Sequence, residues 1–160
     1  MQNGISILDF LQFDCPTQEQ KSALLAMSEF VKLENKDDFF ILCGAAGTGK
    51  TSITTALVGY MNNREIGYHI AAPTGRAARI LGRKSKVLSS TIHSMIYLVN
   101  CDPKTCEVRF TLKQRDNEED TPSIFIIDEA SMVNAETYKQ EDSLFLSEHS
   151  LLVDLVKFVK

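Results

Sequence analysis

Gly44-Ala45-Ala46-Gly47-Thr48-Gly49-Lys50-Thr51 stands between an apolar run, Phe39 to Cys43, and a stretch from Lys50 to Asn62 with helical character. The octet satisfies GxxxxGK[ST] at every position, and its flanks supply the strand and the helix that this pattern requires. Glycines at these places let successive backbone N–H groups curl around phosphate oxygens without a side-chain clash. A helix opening near Lys50 directs its positive end at the same anion. Lys50 suits β- and γ-phosphates, and the Thr51 hydroxyl suits Mg²⁺. The expected nucleotide contacts are Gly44, Ala45, Ala46, Gly47, Thr48, Gly49, Lys50, Thr51 and Ser52.

Outward from the octet, strand and helix patterns alternate. Upstream, Thr17 to Leu33 carries apolar residues at helical spacing, with Thr17 as N-cap and Gln20 at the capping-box position. Lys36-Asp37-Asp38 breaks that helix, and Phe39 to Cys43 fits a buried strand. Downstream, Ile66 to Ala72 is a second strand, ended by Pro73. Helices are expected over Gly75 to Leu81 and Thr91 to Leu98. The alternation of Val108, Phe110 and Leu112 suggests a strand or half a hairpin. Asp116 to Asp120 reads as a charged loop. Ser123 to Ile127 reads as a third buried strand, ending at Asp128-Glu129, and helical pieces follow near Ala135 to Lys139 and Leu151 to Phe158. This order predicts an α/β fold of the P-loop NTPase class, with a mostly parallel sheet flanked by helices.

The acids at the end of the third strand complete the chemistry. Asp128 is placed to hold Mg²⁺, and Glu129 to orient or deprotonate an attacking water. A second acid beside the first favours hydrolysis over binding alone.

Composition sets the outer limits. The chain has 160 residues, 44% hydrophobic and 24% charged, which suits one globular domain and argues against disorder, collagen and coiled coil. No apolar run approaches a membrane span, and the first residues lack a signal-peptide pattern, so a soluble cytoplasmic protein is expected. The net charge of −4 hides an uneven distribution: Arg64 to Arg115 holds ten basic and three acidic residues, a local +7. Cys15, Cys43, Cys101 and Cys106 form no CxxC, so reduced thiols without metal are expected, with Cys43 as a small core residue.

Several motifs in order give a resemblance to the first motor domain of a superfamily 1 DNA helicase of the RecD-like branch, from about Phe13 to Val133. Thr17 to Ala23 resembles the family's Q motif and Gly44 to Thr51 its motif I. Ala71-Ala72-Pro73-Thr74-Gly75-Arg76-Ala77-Ala78 resembles motif Ia, Ser90-Thr91-Ile92-His93-Ser94 motif Ib, and Asp128-Glu129-Ala130-Ser131 motif II. The resemblance implies a RecA-like fold, ATP and Mg²⁺ as ligands, movement from 5′ to 3′ on single-stranded DNA, and catalytic roles for Lys50, Asp128 and Glu129. It implies that Gln20 reads adenine, with Gln18 as the rival position. Pro73, Thr74, Gly75 and Arg76 would lie on the DNA path with Thr91 and His93, and Arg79 is equally well a solvated basic side chain. Ser131 would couple the ATP site to motion, or serve as a helix N-cap. Residues 99–121 would form a hairpin insertion that flanks DNA, or a surface decoration whose acidic tip faces away from phosphate.

The stretch Gly-Asp-x-x-Gln-Leu-Pro of motif III does not follow Met132. By resemblance, the motifs beyond it and a completing arginine belong to a second motor domain. Residues 1–160 are therefore expected to be one monomeric RecA-like domain, with 1–36 carrying the Q motif and the sheet incomplete at its C-terminal end. Such a fragment would bind ATP and Mg²⁺ and unwind negligibly. An AAA-type P-loop ATPase, a non-catalytic nucleotide-dependent binding module and a nucleotide kinase are the other readings; the first shares the loop and acids without explaining motifs Ia and Ib.

Overall fold

A computed structural model of the chain describes residues 5–32, 39–101, 103–104, 108–114, 123–136 and 149–160. After a 3-10 turn at Ile7–Phe10 come α1 (Gln18–Phe30), α2 (Lys50–Asn63), β1 (Tyr68–Ala72), α3 (Gly75–Ser85), β2 (Ser90–Thr91), α4 (Ile92–Ile96), β3 (Tyr97–Cys101), β4 (Val108–Leu112), β5 (Ile124–Ile127) and α5 (Leu151–Val159). Strands β2, β1 and β5 form a parallel sheet in that order, with Ala72 opposite Thr91 and Ala71 opposite Ile127. Strands β3 and β4 form a separate antiparallel hairpin, from Tyr97 opposite Leu112 to Cys101 opposite Val108. This is the α/β architecture of the P-loop class. Among the described residues no helix is long and apolar enough to cross a membrane.

Local chemistry sets the helix starts. The Thr17 hydroxyl accepts from Gln20 N while the Gln20 side chain accepts from Thr17 N, so both donors at the head of α1 are satisfied. Thr74, Thr91 and Ser150 cap α3, α4 and α5 in the same sense, each accepting a backbone N–H of the first turn. Arg83 and Lys84 stand in the last turn of α3, where the helix dipole favours cations.

Two apolar clusters hold the layers. One joins Leu24 and Met27 of α1, Ile53, Leu57 and Met61 of α2, and Ile70 of β1. The other joins Ala71, Ile92, Ile96, Tyr97 and Leu155, drawing the hairpin and α5 to the sheet. Inside this second contact the Tyr97 hydroxyl donates to Oδ2 of the buried Asp154 at 2.6 Å.

Several expectations are corrected. Phe39 to Cys43 belongs to no strand, and it is not buried: Ile41 is 80% and Phe39 64% exposed. Alternation survives, because Phe40 lies against Phe30 and Leu42 packs on the first cluster. The ladder is missing because, among the described residues, the sheet ends at β5, and a cavity separates β5 from this segment. Cys43 is accordingly exposed and no core residue, as are the thiols of Cys15 and Cys101. β5 itself is half-buried, since pairing covers only its β1 edge. The helix expected to reach Leu98 stops at Ile96, because Tyr97 enters β3, so the hairpin starts before residue 99. Ala135 and Glu136 are not helical, and the rest of that piece, with Lys36-Asp37-Asp38, Cys106, Arg115 and Asp116 to Asp120, lies outside the described residues.

Losing the Tyr97 hydroxyl removes a partner from a buried carboxyl group. Tyr97→Phe should cost about 1.5–3 kcal/mol in urea unfolding. Tyr68→Phe, whose hydroxyl bonds Asn62 at the surface, should cost under about 0.5 kcal/mol. Equal losses would contradict the role of the buried pair.

Candidate nucleotide site

The loop before α2 is shaped by two glycines and by side chains that bond its carbonyls. Gly47 and Gly49 take φ values of 81° and 86°, a region that glycine enters without a Cβ penalty. The Thr48 hydroxyl donates to Ala45 O at 2.9 Å and closes the turn from inside. A Cβ at Gly44 would lie 2.9 Å from that same Oγ1. The Lys50 ammonium crosses the loop, donating to Gly44 O at 2.7 Å and to Ala45 O at 2.9 Å. Gln20, far away in sequence, donates from Nε2 to Thr48 O at 3.0 Å.

Helix α2 starts at Lys50 with Gly49 in the cap position, and no side chain caps it. Among the described residues the cap thus offers the first-turn N–H groups no side-chain acceptor, which suits an anion at the loop. Curved glycines, a helix start and one ammonium together fit a polyphosphate.

The acids enter from the sheet. Parallel pairing carries past the end of β5, where Asp128 N donates to Ala71 O at 3.0 Å. Asp128 Oδ1 accepts from Glu129 N at 3.0 Å, and Glu129 turns the chain with a φ of 52°. A 3-10 turn, Ala130–Met132, follows with Ser131 exposed in its middle. Ser131 is thus no N-cap, since Glu129 holds that position without a side-chain bond.

Loop and acids meet on one cavity of about 2630 Å³. Gly44, Gly47, Lys50, Thr51 and Ser52 line it from one side, and Asp128, Glu129 and Ser131 from the other. Phe39–Cys43 and α5 extend the same walls. Thr51 and Asp128 are both half-buried and open to this space, and their hydroxyl and carboxylate are hard oxygen ligands that fit Mg²⁺.

The residues expected along DNA gather elsewhere. Pro73, Thr74 and Gly75 leave the C-terminal end of β1, and Thr91 ends β2 beside it. A Cβ on Gly75 would stand 4.0 Å from Thr91 Cγ2. Thr74 Oγ1 accepts from Ala77 N, while Thr91 Oγ1 accepts from Ser94 N and donates to Ser94 Oγ at 2.9 Å. Both hydroxyls thus serve as helix caps. Arg76 is exposed on α3, and Arg79 Nε turns back to Gly75 O at 3.2 Å. His93 is half-buried against the Tyr97 ring, and burial holds its imidazole below the ordinary value of 6.5. None of these six expected DNA contacts lines the nucleotide cavity.

Two ties escape a reading by spacing. Lys113 Nζ donates to Ser94 O and Met95 O, fastening the foot of the hairpin to α4. Gln20 is visible as a capping residue, but its bond to Thr48 spans 28 residues and leaves no local pattern.

Comparisons with known proteins identify the family. The sequence pattern of the family described as AAA domain matches residues 28–153. The chain is 30% identical over 131 residues to the ATP-dependent DNA helicase dda of Enterobacteria phage T4, across 81% of this chain and 29% of that protein. It therefore spans less than a third of the length of that relative. No solved structure matches.

The depressed His93 pKa has a pH signature. The unfolded chain takes up the proton first as the pH falls, so stability from the neutral ring is present above pH 6.5 and lost below it. The urea midpoint should fall more steeply below pH 6.5 in the native chain than in His93→Gln. Parallel curves would contradict the buried placement.

Proposed function

The chain belongs to the AAA domain family, and from that premise we propose that it is the ATP-binding motor domain of an ATP-dependent DNA helicase. In the whole protein, ATP hydrolysis would drive movement on single-stranded DNA. The observation that carries this reading is a division of labour along the sheet. The phosphate loop and Asp128-Glu129 share one cavity, while Pro73, Thr74, Gly75 and Thr91 cluster at strand ends outside it. The likeness to a phage DNA helicase supports the same conclusion.

The roles follow from chemistry. Lys50, held across the loop by two carbonyls, is one of the charges that would meet the phosphate tail. Thr51 and Asp128 would hold Mg²⁺, which when bound neutralises phosphate charge. Glu129, on its left-handed turn, would orient water. Arg76 and Arg79 give α3 a basic face suited to backbone phosphates. By resemblance the motor is of the RecD-like, 5′-to-3′ branch, and a second motor domain supplies an arginine worth about 10³–10⁵ in rate. This domain by itself would hydrolyse ATP weakly and unwind negligibly.

ATPase activity of the whole protein should rise with single-stranded DNA and vanish in Lys50→Ala. Activity indifferent to DNA would favour an AAA-type assembly ATPase instead. For this domain, Arg76→Ala with Arg79→Ala should weaken salt-sensitive DNA binding several-fold while ATP affinity stays unchanged. Unchanged DNA binding would show that this face is wrong.

A further inference from the structure

Gln20 is engaged from both sides. Its Oε1 accepts from Thr17 N at 2.9 Å and its Nε2 donates to Thr48 O at 3.0 Å. The carboxamide cannot turn over without setting N–H against N–H at Thr17 and oxygen against oxygen at Thr48. Its orientation is therefore set by helix α1 and transmitted to the loop.

Thr48 lies between the two glycines with positive φ. In a planar trans peptide, the Thr48 C=O and the Gly49 N–H point in opposite directions. Binding that carbonyl to Gln20 sends the Gly49 N–H to the other side of the loop. Gly49 lines the cavity and Gln20 does not. The contact is also close, since a Cβ at Gly49 would lie 2.9 Å from Gln20 Nε2.

We propose that Gln20 is a positioning residue for the phosphate loop. It holds the Thr48 carbonyl behind the loop so that the Gly49 N–H faces a bound polyphosphate, whatever base that polyphosphate carries. The proposal rests on the loop being the nucleotide site. It differs from adenine reading, which needs the same amide to face a base.

The test compares affinities for ATP, GTP and inorganic tripolyphosphate in the native chain, Gln20→Glu and Gln20→Met, with thermal unfolding of each. Glutamate keeps the acceptor for Thr17 N but cannot donate to Thr48 O; methionine is neutral and does neither. Both variants should lose about three- to tenfold in affinity for all three ligands alike, the size of one lost hydrogen bond. Gln20→Glu, which keeps the capping acceptor, should lose less in melting temperature than Gln20→Met. Loss confined to ATP would overturn the proposal in favour of adenine reading. Lower melting temperature with unchanged affinities would overturn it in favour of capping alone. A native chain that binds none of the three would overturn the nucleotide reading, and the proposal with it.

Discussion

Parallel pairing between β1 and β5 is the constraint on which the rest depends. It aligns Ala71 with Ile127, so both strands run out at the same edge of the sheet. Asp128 follows one strand and Pro73-Thr74 the other, and Thr91 joins them from β2 through its register with Ala72. Chemistry and candidate DNA contacts are thereby brought to one edge, where ligands of open α/β sheets are expected. An antiparallel β5 would carry the acids to the opposite edge.

The loop depends less on the sheet than on its neighbours. Among the described residues its preceding segment pairs with no strand, so the loop is held by α2 behind it, by Lys50 and Thr48 across it, and by Gln20 from α1. Leu24, Met27, Leu57 and Met61 pack α1 against α2 in one cluster, which holds Gln20 within reach of Thr48. Apolar packing thus sets the position of a polar contact at the site. The hairpin is tied in the same manner, by Tyr97 to Asp154 and by Lys113 to the end of α4.

The octet from Gly44 to Thr51 was legible because glycine, lysine and threonine at that spacing answer a local chemical need. The capping box at Thr17 and Gln20, the strand ending before Pro73 and the hairpin alternation of Val108, Phe110 and Leu112 were legible for the same reason. Burial of Phe39 to Cys43 was not, because apolarity reports a preference, while burial needs a neighbouring strand. The end of α4 at Ile96 was hidden too, since β-branched and aromatic residues around Tyr97 suit a helix or a strand until β4 pairs with them. The DNA-facing assignments came from resemblance rather than from pattern. The structure adds that Thr74 and Thr91 already act as caps.

By this reading, loop and acids form one magnesium-dependent site across a shared cavity. ATP affinity measured with and without Mg²⁺, in the native chain and in Asp128→Asn, tests it most directly. Mg²⁺ should tighten binding in the native chain, and Asp128→Asn should lose most of this gain while keeping its metal-free affinity. An equal gain from Mg²⁺ in both proteins would contradict it.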